Sequence, residues 1–379
     1  MGLKIERFFA GASRQPRRAA ACPWRPIYAA WAVTALLPLA APASASARDE
    51  SGKAAPVSAA TQARMQKAAA LERAGNWAGV VETLRPASET LPRLGLLRLA
   101  RAYGAQKDYL NQVSALEMLA NKGGRDYYAL SLLGDAYMLK AEADDPATRN
   151  KDRESATQDY RDAIDANHDY LPAYEGLLAA LESLHDRFEE RSLATDMLKR
   201  FGNKPPYLAK LCQLYSIESF IDKAIEVCKQ AIAADSKLPD NHVYLAQSLR
   251  EKQQEAQAEK ILKMAAQRFP SSELAQWAAG QMAFDHKSFA SSYKFFAQGT
   301  KANPGAARSW LGAGKAALEN DQMSDSAEAF ARACELDPQT LSDYRKAAAQ
   351  LRQRKRDEWS ARFEANEPRC GTKQKNRRP

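Results

Sequence analysis

An all-α array of stacked helix pairs is the fold class this sequence predicts, on three observations. Pro270, Pro304 and Pro338 stand 34 residues apart, each closing a helical run: "AAQRFP", "GTKANP" and "CELDP". Proline lacks the N–H that a helix interior needs, so a regular proline marks regular helix ends. Small and bulky residues recur between these marks in one phase, at helical spacing. Finally, a chain of 379 residues rich in Ala, with 18 Gly, 18 Pro and 27% charged side chains, favours helix over strand and is not that of a disordered segment.

Residues 1–47 read as an export signal. Lys4, Arg7, Arg14, Arg17, Arg18 and Arg25 precede an apolar stretch from Ile27 to Ala41, and Ala45 and Ala47 are the small residues before an expected cleavage after Ala47. The apolar run holds Pro38 and falls short of the roughly 20 residues a spanning helix needs. Export to the periplasm is therefore expected, with an uncleaved inner-membrane anchor and an organelle transit peptide as the alternatives. Arg17-Arg18 lacks the apolar continuation of a twin-arginine signal, Cys22 precedes the apolar stretch, and Glu6 stands where a myristoylation motif needs a hydroxyl. Residues 48–60, "RDESGKAAPVSAA", read as a linker.

The repeat array is expected over 61–340. A first unit has Gly75, Trp77, Leu84 and Ala87 in register and ends at Pro92. Later units open at Leu96, Leu130, Tyr174, Leu208, His242, Gln276 and Trp310, all at the 34-residue interval except for about ten extra residues near 141–153. Those extra residues predict a longer helical hairpin or loop. Three, four and seven residues after the last opener lie Ala313, Gly314 and Ala317, and the same offsets give Ala279, Gly280, Ala283 and Leu245, Ala246, Leu249 in the two units before it. Second helices repeat as Ser326-Phe330-Ala333, Ser292-Phe296-Gly299 and Ala224-Cys228-Ala231. Small residues beside one bulky residue suit two helices that approach closely.

These residues resemble the tetratricopeptide repeat family, whose unit follows W-x2-L-G-x2-Y, then A-x3-F-x2-A and a terminal Pro. Trp310, Gly314, Phe330, Ala333 and Pro338 match in one unit, and Leu133-Gly134-Tyr137 reproduce the L-G-x2-Y core in another. The resemblance covers about 61–340 and implies a right-handed α-solenoid of about eight helix-turn-helix repeats. Such an array needs a polar end, so 341–366 is expected to be one capping helix, followed by a disordered basic tail over 367–379.

The charge pattern argues against nucleic acid. The overall charge is +9, but 1–47 carries +5 and 345–379 carries +8, so the body between them is net −4. A basic groove is not indicated. Membrane contact is expected only through an uncleaved signal or the basic tail.

No catalytic constellation, cofactor motif or metal site is expected. "SWLGAGKAALEN" places Gly312, Gly314 and Lys315 like a phosphate loop, but Ser309 replaces the first required glycine and Ala316 the final hydroxyl. Gly314 is read instead as a helix-contact residue. Ser291-x-x-Lys294 lacks its partner motifs, there is no G-x-S-x-G, and His168, His185, His242 and His286 show no ligand spacing. The histidines are expected on the surface or in the groove. Cys212 and Cys228 should face the inside of one helix pair, as small hydrophobes or, in an oxidising compartment, as a disulfide. Cys334 is expected in the core and Cys370 exposed.

The resemblance implies that partners are held on each first helix, at five and eight residues after the opener among others. The first offset gives Arg101, Asp135, Ala179, Gln213, Gln247, Gln281 and Lys315; Arg250 and Phe284 lie eight on, and Trp277 one on. Amides repeated on successive helices offer donors and acceptors for a peptide backbone or for glycan hydroxyls. The function implied is a non-enzymatic periplasmic scaffold for a protein or peptide, in assembly or export of cell-envelope components. A glycan-binding array in exopolysaccharide export is the alternative, and a thiol-dependent or hydrolytic enzyme a further class.

Overall fold

The computed structural model describes residues 58–122 and 126–367, and every regular element among them is helical. The export segment, most of the linker and the tail lie outside the described residues, as do Cys22 and Cys370. The described residues form two compact units that divide between Leu193 and Ala194.

In the first unit, α1 (Ala59–Arg73), α2 (Trp77–Leu84), α3 (Arg93–Ala105), α4 (Tyr109–Lys122), α5 (Tyr127–Ala143), α6 (Pro146–Ala166) and α7 (Leu171–Leu184) each pack on the next; α1 also touches α3, and α5 touches α7. The boundary falls inside α8 (Arg187–Phe201). The second unit continues with α9 (Pro205–Ile217), α10 (Ile221–Ala234), α11 (Pro239–Glu251), α12 (Glu255–Arg268), α13 (Glu273–Asp285), α14 (Phe289–Ala302), α15 (Ala307–Glu319), α16 (Met323–Leu336), α17 (Leu341–Gln353) and α18 (Asp357–Asn366). Its odd-numbered helices from α9 to α15 pack on one another as well as on their even-numbered neighbours, the contact pattern of stacked pairs.

The turn inside every pair except α5/α6 is built one way. Gly75, Lys107, His185, Ser219, Gln253, Lys287, Asp321 and Lys355 all have positive φ, between 57° and 69°. The residue after each donates its N–H five residues back, as in Asp108 to Tyr103, Ser288 to Ala283 and Arg356 to Leu351. A left-handed residue followed by this long-reach bond stops a helix and satisfies its end carbonyls. Only the first of these turns uses glycine, which is why the sequence gives so little sign of them.

Close approach within the pairs depends on complementary slots. A Cβ added at Gly280 would lie 2.9 Å from Phe296, and one at Gly314 2.8 Å from Phe330. Gly134 stands in the same relation to Tyr160, at 2.8 Å. Phe296 is closed from its other side by Gly312, where an added Cβ would meet it at 2.5 Å. Both glycines of "SWLGAGKAALEN" therefore receive aromatic rings. Ala246 and Leu262 occupy the slot in another pair, both buried. In the pair α9/α10 the slot holds Cys212 and Cys228, joined as a disulfide across a Cα separation of 4.6 Å.

The insertion takes the longer helical hairpin expected of it, whereas the C-terminal segment departs from expectation. The insertion is absorbed into longer helices, with α5 at 17 residues and α6 at 21. Lys140 fastens them by pairing with Asp144 at 3.0 Å and Asp152 at 2.7 Å. The correction concerns 341–366, expected as a single capping helix. It is a full further pair, α17 and α18, with its own left-handed turn at Lys355. Ser360 donates to the Ala348 carbonyl at 3.0 Å as Ser326 does to Gly314 and Ser292 to Gly280. The polar stretch "RQRKRDE" hides this pair, because its turn lacks glycine and its second helix buries little beyond Phe363 and Ser360.

Candidate functional site

Residues five positions after each opener, on the odd-numbered helices, lie between buried neighbours that hold the stack together. Gln213, Gln247 and Gln281 are half-buried on α9, α11 and α13, each flanked by buried residues such as Cys212 and Leu214, or Ala246 and Ser248. Gln247 donates to Glu251 at 3.4 Å and Gln281 to Asp285 at 2.9 Å, both one turn along the same helix. Neither bond reaches the next helix, so the amides are not what joins the pairs.

The charged candidates are tied to neighbouring pairs. Arg101 donates to Glu72 at 2.6 Å, where Arg98 also binds at 2.9 Å. Arg250 meets Asp285 at 2.9 Å and Lys315 meets Asp343 at 2.9 Å. Arg354 with Glu319 at 2.7 Å continues this lacing of one pair to the next. The expected charge anchors are thus first of all links between repeats.

The aromatic candidates are engaged too. The Arg308 guanidinium lies 4.9 Å above the Trp277 ring and is itself held by Glu273. Phe284 meets Phe289 edge-on at 5.4 Å. Trp310, the opener of its unit, donates its indole N–H to the Pro304 carbonyl at 3.0 Å.

Asp135 differs from its equivalents. Its Oδ1 accepts from the Tyr160 hydroxyl at 2.6 Å, and burial pushes its carboxyl up to about 6 against the opposing effect of that bond. Among the described residues no basic side chain pairs with it. Tyr170 lies close by, its ring centroid 4.8 Å from that of Tyr127 at a tilt of 58°, and burial raises its phenol strongly. On α6, Asp159 is pushed up to about 7 by burial and by Asp162 and Glu117. These shifted carboxylates and tyrosines carry no recognisable sequence motif, since they converge from α5, α6 and the start of α7.

The remaining candidates have structural roles. Ser292 is buried and bonded to Gly280, whereas Ser291 and Lys294 point to solvent, so no Ser–Lys dyad forms. His242, expected at the surface or in the groove, is buried against Phe269 at 5.5 Å, and burial lowers its basicity. His168, His185 and His286 are exposed. Cys334 is buried and disulfide-bonded. Among the described residues no three His, Cys, Asp or Glu side chains are grouped to hold a metal ion, and no helix is long and apolar enough to cross a membrane.

No protein-family model and no curated sequence matches the chain. Solved structures do. A tetratricopeptide repeat protein from Parabacteroides merdae aligns with 65% of this chain and 93% of its own, at 13% identity and a TM-score of 0.51. A thermophilic repeat protein of the same kind from Thermus thermophilus covers 50% of this chain and 98% of its own, at 19% identity and a TM-score of 0.33. Yeast Tom70 covers 83% of this chain and 93% of its own, at 12% identity and 0.40. The fold is the all-α helical-repeat fold of tetratricopeptide repeat proteins.

Proposed function

We propose that the chain is a non-enzymatic scaffold that holds an extended segment of a partner protein along its odd-numbered helices. The observation that carries this reading is the row Gln213, Gln247, Gln281. Three amides at one position of the odd-numbered helices α9, α11 and α13, bonded at most to their own helix, offer paired donors and acceptors once per repeat. A peptide backbone has the complementary groups. The glycan reading relied on Trp277 and Phe284 as open platforms, and Arg308 and Phe289 already occupy ring faces or edges there. The protein reading is favoured for that reason.

The proposed place is the periplasm, in assembly or export of envelope components, after cleavage behind Ala47. The Cys212–Cys228 disulfide supports an oxidising compartment. A photocrosslinker placed at Gln247 in intact cells is expected to capture an envelope protein, and changing all three glutamines to Ala is expected to reduce that capture. Unchanged capture by the triple variant would remove the amide row from the binding face. Intact mass of the protein from cells tests cleavage, which predicts an N-terminus at Arg48.

A further inference from the structure

A feature of the first unit, at the repeat position that holds glutamine in the second, specifies what a bound segment carries. At equivalent positions, Arg101 is neutralised by Glu72 and Lys315 by Asp343. Asp135 has no such counterpart among the described residues; its carboxylate accepts only from the neutral Tyr160 hydroxyl. A desolvated carboxylate without a cation is costly, and a cation brought against it recovers that cost.

The surroundings suit a cation. Tyr127, Ser131 and Asp135 follow one another at four-residue intervals on α5, so they form a single stripe. Tyr170, before α7, meets Tyr127 with ring centroids 4.8 Å apart at a tilt of 58°, which sets two aromatic rings beside the stripe that ends at the carboxylate. Tyrosine faces attract ammonium and guanidinium groups. At the N-terminal end of the same helix the chain builds the filled version of this arrangement: Arg93 lies 5.6 Å over the Tyr128 ring and binds Asp126 at 2.7 Å. The field over the region has the same sign, since residues 127–184 hold twelve acids and five bases.

We propose that Asp135, with Tyr127 and Tyr170, is the receptor for a lysine or arginine side chain on the partner segment. This rests on the scaffold reading above and adds the chemistry of the segment. One basic residue of the partner segment enters the tyrosine stripe of the first unit and pairs with Asp135. Tyr160 holds the carboxylate in place from below.

The test uses the full chain, with aspartate side-chain carboxyls labelled for NMR, and short Gly-Ser peptides carrying one central arginine, lysine or norleucine. The arginine and lysine peptides are expected to shift the Asp135 signal saturably and to bind about tenfold or more tightly than the norleucine peptide. Asp135→Asn, which keeps an acceptor for Tyr160, is expected to erase that preference, and Tyr127→Leu to weaken it while norleucine binding stays unchanged. Equal binding of all three peptides, a preference that survives Asp135→Asn, or no saturable shift overturns the proposal. So does an Asp135 signal that moves with protein concentration alone, which assigns the stripe to a second copy of the chain. Capture from Gln247 in cells is independent of these outcomes, so it separates failure of this receptor from failure of the scaffold.

Discussion

At the scale of single residues, two kinds of side chain repay attention: the glycines that admit a ring and the carboxylates that burial has raised. Gly312→Ala puts a methyl where the Phe296 ring lies, so it is expected to cost about 1–3 kcal/mol, read as a lower urea midpoint with unchanged slope. The same substitution at Gly305, where an added Cβ meets nothing nearer than 3.4 Å, is the control. Asp135 at about 6 and Asp159 at about 7 are both raised above their unfolded value of 3.8. The folded state therefore holds more protons between those limits, and stability falls as pH rises from about 4 through 7. Asp135→Asn with Asp159→Asn is expected to flatten that slope and to raise the melting temperature at pH above 7. The glycine positions were legible from the repeat. The carboxylate shifts were not, because they depend on which helices bury each group and bring Tyr160 and Glu117 alongside.

At the scale of helix pairs, the left-handed turn and the slot between helices set stability. Lys287 and Asp321 adopt φ of 57°, a conformation that costs a side chain about 1–2 kcal/mol. Lys287→Gly is expected to gain about 0.5–1 kcal/mol after allowing for the freer unfolded chain, visible as a higher melting temperature. In α9/α10 the disulfide closes a loop with a sequence separation of 16. Cys212→Ala with Cys228→Ala is expected to lose up to about 3 kcal/mol, measured by urea unfolding without reductant. Cys212→Ala with Cys228→Leu copies the Ala246 and Leu262 pair and is expected to recover part of that loss. The cysteines' facing positions followed from the 34-residue phase. Their covalent bond required the close Cα approach that only the packed pair reveals.

For the whole molecule, the final pair is the element whose role the sequence concealed. Phe330 meets Tyr344 at 6.3 Å and Phe363 at 5.9 Å, and the Tyr344 hydroxyl donates to the Phe363 carbonyl at 2.6 Å. These contacts cover the apolar face of α16. Phe363→Ala is expected to cost about 3–5 kcal/mol, and a chain ending after Pro338 is expected to expose Phe330 and associate in gel filtration. A terminal segment acting only as a polar cover would tolerate Phe363→Ala with little change.

The amino-acid sequence by itself determined the helical class, the 34-residue unit and the residues that face inward, because those follow from periodic spacing along one chain. Gly280, Gly314, Phe296 and Phe330 could be assigned before any coordinates, and each sits where that phase puts it. Only the tertiary structure decided which charges are already spoken for. Arg101, Arg250 and Lys315 look alike as groove candidates, yet their partners lie 29, 35 and 28 residues away on another helix pair. Asp135 stands apart for the same reason. Whether a charge is paired is a matter of distance in space, and periodicity carries no record of it.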